Sequence, residues 1–192
     1  GDSLVVNTID TFAANLIVTN PDTIGVNDFV TSGNVTFTAG TVTEDTPDAG
    51  VDLAAVALSI TAVSNIAAAN ALETSVASIV ATLSSPGSIK FNETNAVTLQ
   101  NVTTHDGSIT VTAGGTITAT NVSNATDASN VITLTTTSGD ILANNIVAPG
   151  DTITLNSAGV IDESGVDGTA DVSASIVNLT SVSGIGTSGS LE

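Results

Sequence analysis

The chain lacks most of the residue types on which enzymes and nucleic-acid-binding proteins depend. Its 192 residues include no Cys, Met, Trp or Tyr, and Lys and Arg together number 1 against 19 Asp and Glu. With a formal charge of −18 it cannot neutralise a phosphate backbone or an anionic membrane surface. The chain also has too few Lys, Arg, His and Cys residues to form a phosphate clamp, a Ser–His nucleophile or a zinc–thiolate site. We expect no nucleic-acid partner, no enzymatic activity and no cofactor.

Long hydrophobic runs and a basic leader are absent as well. No window of about 18 residues is free of polar interruption, so we expect no membrane insertion. The opening GDSLVVNTID lacks the basic stretch of a signal peptide. What remains is rich in Ala, Gly, Ser, Thr, Val and Asn, with 41% hydrophobic and only 2% aromatic residues. That composition suits a packed core of small side chains rather than a disordered chain, and the length favours one domain.

A short internal repeat indicates the architecture. Residues 87–106 read GSIKFNETNAVTLQNVTTHD and residues 107–122 read GSITVTAGGTITATNV. The offset of about 20 residues is the length of one coil, that is, one full circuit of a β-solenoid. The matched pairs are Gly87/Gly107, Ser88/Ser108, Ile89/Ile109, Phe91/Val111, Val97/Ile117, Leu99/Ala119, Asn101/Asn121 and Val102/Val122.

The local pattern predicts short strands. Apolar residues alternate with threonines, as in Ile109-Thr110-Val111-Thr112, and Gly, Asn, Asp and Ser separate the runs. Stacked coils place like over like, which predicts a parallel β-helix; tandem β-sandwich domains are the alternative. The predicted core residues are Ile89, Phe91, Val97, Leu99, Ile109, Val111, Ile117, Ile132, Leu134, Ile141, Ile153 and Leu155.

A second repeat has a longer period. AGVIDE at 158–163 resembles AGTVTE at 39–44, and VNLTSVSGI at 177–185 resembles LSITAVSNI at 58–66. The shared offset of roughly 118 residues predicts that 1–192 is one solenoid segment, about one and a half copies of a unit from a longer array. Leu191-Glu192 then matches Leu72-Glu73, although a cloning scar would also explain that dipeptide.

The Ala-rich stretch 52–85 is the one segment with helical composition. Its apolar residues do not keep to one helical face, and part of it matches residues 171–185, which are poor helix formers. We interpret it as strands, with a short helix near 67–74 as the alternative.

Two segments carry a resemblance to a known family. GSITVTAGGTITATNV at 107–122 and VSGIGTSG at 182–189 resemble the repeats of filamentous-haemagglutinin-like exoproteins, which are large bacterial surface or secreted proteins. The resemblance implies a right-handed parallel β-helix in an extended adhesive or scaffolding role at the bacterial cell surface. The partners it implies are neighbouring repeats or like subunits end to end, with a host or surface glycan as a further candidate. A self-assembling extracellular filament and a carbohydrate-processing β-helix remain alternatives.

Few side chains in the sequence are candidates for catalysis. We interpret Lys90 and His105 as surface residues, because one lies between inward positions and the other beside the turn residue Asp106. The carboxylate pairs Glu44-Asp45 and Asp162-Glu163 occupy equivalent repeat positions at turns, and no aromatic side chain accompanies them for sugar stacking. We assign no catalytic residue.

Calcium and ice are the remaining ligands to consider. Glu44, Asp45 and Asp48 cluster in sequence, as do Asp162, Glu163 and Asp167, and oxygen-rich turns can bind structural Ca²⁺, though no known loop spacing is matched. Five T-x-T pairs resemble the ice-binding faces of β-solenoid antifreeze proteins, but Lys90, Asn92 and Glu93 interrupt the series, so we expect ordinary outward-facing threonines. The pairs are Thr36/Thr38, Thr110/Thr112, Thr116/Thr118, Thr133/Thr135 and Thr152/Thr154.

Overall fold

The protein is a parallel β-solenoid of about 8 coils, each of roughly 21 residues. The computed structural model describes residues 2–6, 9–11, 14–45, 50–125, 129–165, 168–188 and 190–192. Every strand pair among them is parallel, which confirms the predicted fold class. The β-sandwich alternative is therefore wrong, because a sandwich is built from antiparallel neighbours.

Twenty short strands make up the coils, and the described residues contain no helix. The strands are β1 (Ser3–Val6), β2 (Ile9–Thr11), β3 (Leu16–Val26), β4 (Phe29–Thr31), β5 (Asn34–Glu44), β6 (Leu53–Ala54), β7 (Ala57–Ala62), β8 (Leu72–Ser75), β9 (Ser78–Leu83), β10 (Ile89–Glu93), β11 (Val97–Thr104), β12 (Ile109–Ala113), β13 (Ile117–Ala119), β14 (Val122–Asn124), β15 (Val131–Thr136), β16 (Ile141–Ala143), β17 (Ile146–Ser157), β18 (Val160–Glu163), β19 (Val172–Ser181) and β20 (Gly184–Ile185).

Equivalent aliphatic residues stack in columns along the axis. Ile89 pairs with Ile109 in register, as predicted, and Val97 pairs with Ile117. The column through Ile109 crosses every coil, although the number of residues between successive members varies. The extra residues therefore lie in the corners between strands, and the strands stay in register. Its members are Leu4, Ile24, Val42, Ile66, Ile89, Ile109, Ile132, Ile153 and Val177.

The core is aliphatic and narrow. Side chains alternate between buried and half-exposed along the strands, as in β12 and β15, and all twelve predicted core residues are buried. Phe29, Phe37 and Phe91 are fully buried, and the rings of Phe29 and Phe37 meet edge to face with centroids 5.4 Å apart. Phe12 lies outside the described residues.

Glycine lets successive coils approach closely at one corner. A Cβ on Gly107 would lie 2.0 Å from the carbonyl oxygen of Gly87, and Gly107 also has a φ of +155°. A Cβ on Gly87 would lie 2.0 Å from the carbonyl oxygen of Ser64 one coil earlier. The Gly87/Gly107 match in the sequence therefore reflects a steric requirement.

The Ala-rich stretch forms strands β6 to β9, which confirms the strand interpretation. No helix forms near 67–74. Ala67 has a φ of +51°, and Leu72 in β8 pairs with Phe91 of the following coil. Ladder bonds to the coils on both sides outweigh the intrinsic helical preference of alanine.

The segments matched by the long offset lie on different faces. Val42 belongs to the column of Ile109, whereas its match Ile161 pairs with Ile141 and Ile185 in another column. The strand boundaries nevertheless agree at this offset, because residues 57–62 of β7 match residues 176–181 of β19, and Ile66 matches Ile185 of β20. The larger array stays a prediction.

Candidate functional site

Three carboxylates converge at one corner of the solenoid. Glu44 ends β5, Asp52 precedes β6 on the same coil, and Glu73 lies in β8 on the next coil. One carboxylate oxygen from each lies within 4.8 Å of the other two, and we call this group the acid cluster. The sequence led us to group Glu44 with Asp45 and Asp48; Asp45 is exposed, and Asp48 lies outside the described residues.

Asp52 is the innermost member, with 2% of its surface exposed. Its Oδ2 accepts a hydrogen bond of 3.0 Å from the main-chain N–H of Glu73, and its own N–H donates to the Glu73 carbonyl at 2.9 Å. Burial raises the pKa of Asp52 to about 7; the N–H of Glu73 opposes the rise, and the carboxylates of Glu73 and Glu44 add to it. The carboxyl therefore titrates near neutral pH.

The Glu73 carboxylate faces both Asn92 and Asp52. Its Oε1 accepts a hydrogen bond of 2.9 Å from Asn92 Nδ2. Its Oε2 is buried, and a side-chain hydrogen bond between the carboxyls of Asp52 and Glu73 also raises the pKa of Asp52. The sequence contains a partial signal for this cluster, because Asp52 and Glu73 are 21 residues apart, which is about one coil.

Glu93 is a second buried acid in this region, and its expected outward position is wrong. We grouped it with the outward interruptions of the threonine pairs, yet it follows Ile89 and Phe91 on the inward side of β10 and is 4% exposed. Its carboxylate accepts from Thr74 Oγ1 at 2.7 Å and from the N–H of Val76. Burial raises the pKa of Glu93, and these hydrogen bonds oppose the rise.

The second acid group predicted from the sequence is described only at Asp162 and Glu163. Asp162 is 1% exposed, and its Oδ2 accepts hydrogen bonds from the N–H of Ser188 at 2.8 Å and from Thr187 Oγ1 at 3.2 Å. It thereby connects its corner to the following coil. Glu163 is half-buried, and Asp167 lies outside the described residues.

Lys90 and His105 lie where the sequence placed them. Lys90 is half-exposed on the outer side of β10, and His105 is exposed in the bend after β11. Neither is among the groups that shift the pKa of Asp52 or Glu93. The absence of enzymatic activity stays a prediction.

Outward polar side chains form ladders along the axis. One of them contains Thr19, Thr38, Thr61, Thr82 and Thr103 on five successive coils, with Ser123 on the next coil. Thr110, Thr133 and Thr154 stack on three successive coils, but Lys90 precedes them and Asn178 follows. A separate asparagine ladder is hydrogen-bonded: Asn145 donates to Asn121, and Asn121 donates to Asn101, both at 2.6 Å. Such ladders stabilise coil stacking from outside the core.

Apolar side chains are exposed where the first and last described coils lack a neighbour. At one end β1 pairs only with β3, and at the other β19 pairs only with β17. The exposed large apolar residues at these two ends are Leu4, Val5 and Ile17, and Ile176, Val177, Val182 and Ile185. In the part of the chain that is described, no helix could cross a membrane.

Comparison with known proteins adds no identity. The chain matches no family model, no curated protein and no solved structure.

Proposed function

We propose that this chain is a structural spacer: a stiff β-solenoid segment of a large bacterial surface protein that holds an adhesive element away from the cell. One observation carries the proposal. The column through Ile109 is continuous from Leu4 to Val177, so the whole described chain is a single stack of coils.

The surface supports the same proposal. The charge of −18 keeps neighbouring rods apart in solution. Side-chain chemistry beyond carboxylates is confined to one Lys and one His, and these do not join the acid cluster. Length and stiffness are therefore the properties that this architecture supplies best.

A double-label distance measurement tests the spacer. The chain has no cysteine, so Val5→Cys and Val182→Cys place two spin labels at exposed positions near opposite ends. Eight coils at about 4.8 Å each predict a separation of about 40 Å with a narrow distribution. A broad distribution, or one that narrows only when a polysaccharide is added, would overturn the rigid spacer and favour a ligand-binding function.

A self-assembling filament is the second candidate, favoured by the exposed apolar residues at both ends. Sedimentation velocity at rising protein concentration separates the two functions. Growing particles in the parent chain, abolished by Val182→Asp, would support the filament. A constant monomer would remove it.

A further inference from the structure

Asp52 and Glu73 join two successive coils at one corner. The N–H of Asp52 donates to the Glu73 carbonyl at 2.9 Å, and the N–H of Glu73 donates to Asp52 Oδ2 at 3.0 Å. The side chains also meet, because a carboxyl oxygen of each lies within 4.8 Å of one from the other. Asp52 is 2% exposed and Glu73 Oε2 is buried, so water has little access to this contact.

A hydrogen bond between two carboxyl groups requires a proton. An ionised carboxylate only accepts hydrogen bonds, so two ionised side chains in contact repel each other. The hydrogen bond between the side chains of Asp52 and Glu73 therefore needs one of them protonated, and Asp52 is the more deeply buried. Burial is also the largest cause that raises the pKa of Asp52 to about 7, so the proton is held up to neutral pH. No other donor among the described residues reaches Glu73 Oε2, which leaves this oxygen to accept the bond.

No positive charge takes the place of this proton. The described charged side chains on the elements packed against Asp52 are Asp28 before β4, Glu44 and Asp45 at the end of β5, Glu73 in β8, and Lys90 and Glu93 in β10. Among these, Glu44 and Glu73 shift the pKa of Asp52, and both raise it. Lys90 is not among the groups that shift it. Loss of the proton therefore leaves the negative charges of this corner without compensation.

We propose that Asp52 and Glu73 share one proton and form a pH-sensitive clasp between two successive coils of the solenoid. With the proton in place, the bond between the carboxyl groups adds to the two main-chain bonds at this corner. When the proton leaves, Glu44, Asp52 and Glu73 repel one another, and the corner opens locally while the rest of the stack stays closed. One joint of the rod thereby responds to the pH of its surroundings.

Site-resolved amide hydrogen exchange of the full chain measures this opening, in chelator to keep metal ions from the carboxylates and with correction for the intrinsic exchange rate. Opening exposes the Asp52 carboxyl and returns its pKa from about 7 to 3.8, so opening at the amides of Asp52 and Glu73 should rise about tenfold from pH 6 to pH 8.5. Asn130 is the internal reference, because its N–H donates to Asp151 at another corner, where that carboxylate also accepts from the amide of Asn124. Opening at Asn130 should change by less than about twofold.

Asp52→Asn should remove the pH response, because the new side-chain amide donates to Glu73 at every pH. Asp28→Asn is the matched control, since Asp28 holds the equivalent place on the preceding coil and is exposed; it should keep the tenfold rise. If Asp52→Asn does not fold, carboxyl carbon NMR of the parent chain carries the test, because a shared proton moves the signals of Asp52 and Glu73 together in one step near pH 7. An equal rise at Asn130, a tenfold rise that persists in Asp52→Asn, or a step at Asp52 without one at Glu73 would overturn the clasp.

Discussion

At the scale of the residue, buried acids share one task. Each of the buried Asp and Glu side chains accepts a hydrogen bond from a main-chain N–H on a neighbouring coil, at a corner where the ladder is interrupted. Main-chain donors inside a protein need a partner, and a carboxylate is a strong one. These acids and their donors are Asp52 with Glu73, Glu93 with Val76, Asp151 with Asn130, Asp162 with Ser188, and Asp171 with Glu192.

The elevated pKa values make stability depend on pH. Burial raises the pKa of Asp52 from its ordinary value of 3.8 to about 7 in the folded protein, and the pKa of Glu93 shifts in the same direction. The folded state therefore binds more protons than the unfolded state between these values, and the free energy of unfolding falls as pH rises through 7. Urea denaturation at pH 5 and pH 8 measures the difference. Asp52→Asn should flatten it, and a parent chain more stable at pH 8 would contradict the assignment.

A neighbouring pair in β12 tests the core. Ile109 is fully buried, so Ile109→Ala should lower the free energy of unfolding by about 2–5 kcal/mol. Thr110 faces outward on the same strand, and Thr110→Ala should change it by less than about 0.5 kcal/mol. Urea denaturation of both variants measures this contrast. Similar losses of unfolding free energy in the two variants would contradict the placement of Ile109 in the core and Thr110 on the surface.

Residue type explains which of these side chains could be predicted. The alternation of aliphatic and polar residues predicted Ile109 and the rest of the core, because aliphatic residues at every second position of a strand share one face, and that face is favourable only when it is buried. Alternation also places Glu93 inward, but its charge argued for the surface. Its burial is tolerated because Thr74 and Val76 of the preceding coil donate hydrogen bonds to its carboxylate, a contact that the local sequence pattern does not show.

At the scale of the element, one coil is the unit of assembly. β10 and β11 pair with β12, β13 and β14 on one side, and with β8 and β9 on the other, in nearly the same pattern. Removing a complete coil should therefore bring compatible strands together, whereas removing part of one shifts every side chain out of register.

Deletion of residues 87–106 tests this modularity. The shortened chain should fold, because Gly107 then takes the place of Gly87 and β12 to β14 stack on the preceding coil. It should be less stable, since Ala113 replaces Glu93 and the N–H of Val76 loses its acceptor. Deletion of 87–97 is the control, and it should not fold. Circular dichroism and thermal melting measure both, and equal stability of the two would contradict coil-by-coil assembly.

The sequence predicted coils but not their corners. Repeated Gly, Ile and Val positions mark the strands, since each must match the coil above and below. The acid cluster escaped prediction because neighbours along the axis are a coil apart in sequence, whereas we grouped acids that are adjacent in the chain. Stacking Asp52 over Glu73 requires the register of a segment in which the short repeat is no longer visible.

At the scale of the whole molecule, charge opposes the stack. Nineteen acids and one Lys surround a rod only a few strands across, and their mutual repulsion favours the unfolded chain. Salt shortens the range of that repulsion to about 10 Å at 0.1 M. The parent chain in chelator should melt at a higher temperature in 0.5 M NaCl than in 0.01 M NaCl. A melting temperature independent of salt would show that repulsion is already compensated.

The change of face between the matched segments has a geometric consequence. Asp52 with Glu73 and Asp171 with Glu192 make the same pair of hydrogen bonds, yet they lie on different sides of the solenoid, because Leu53 pairs with Phe29 and Val172 pairs with Ile146 in another column. A unit of roughly 118 residues spans about five and two-thirds coils of roughly 21 residues. In a longer protein built from this unit, a feature that occurs once per unit would therefore be rotated by about a third of a turn around the axis from one unit to the next. Receptors bound to such features would face three directions in rotation, and only every third would point the same way.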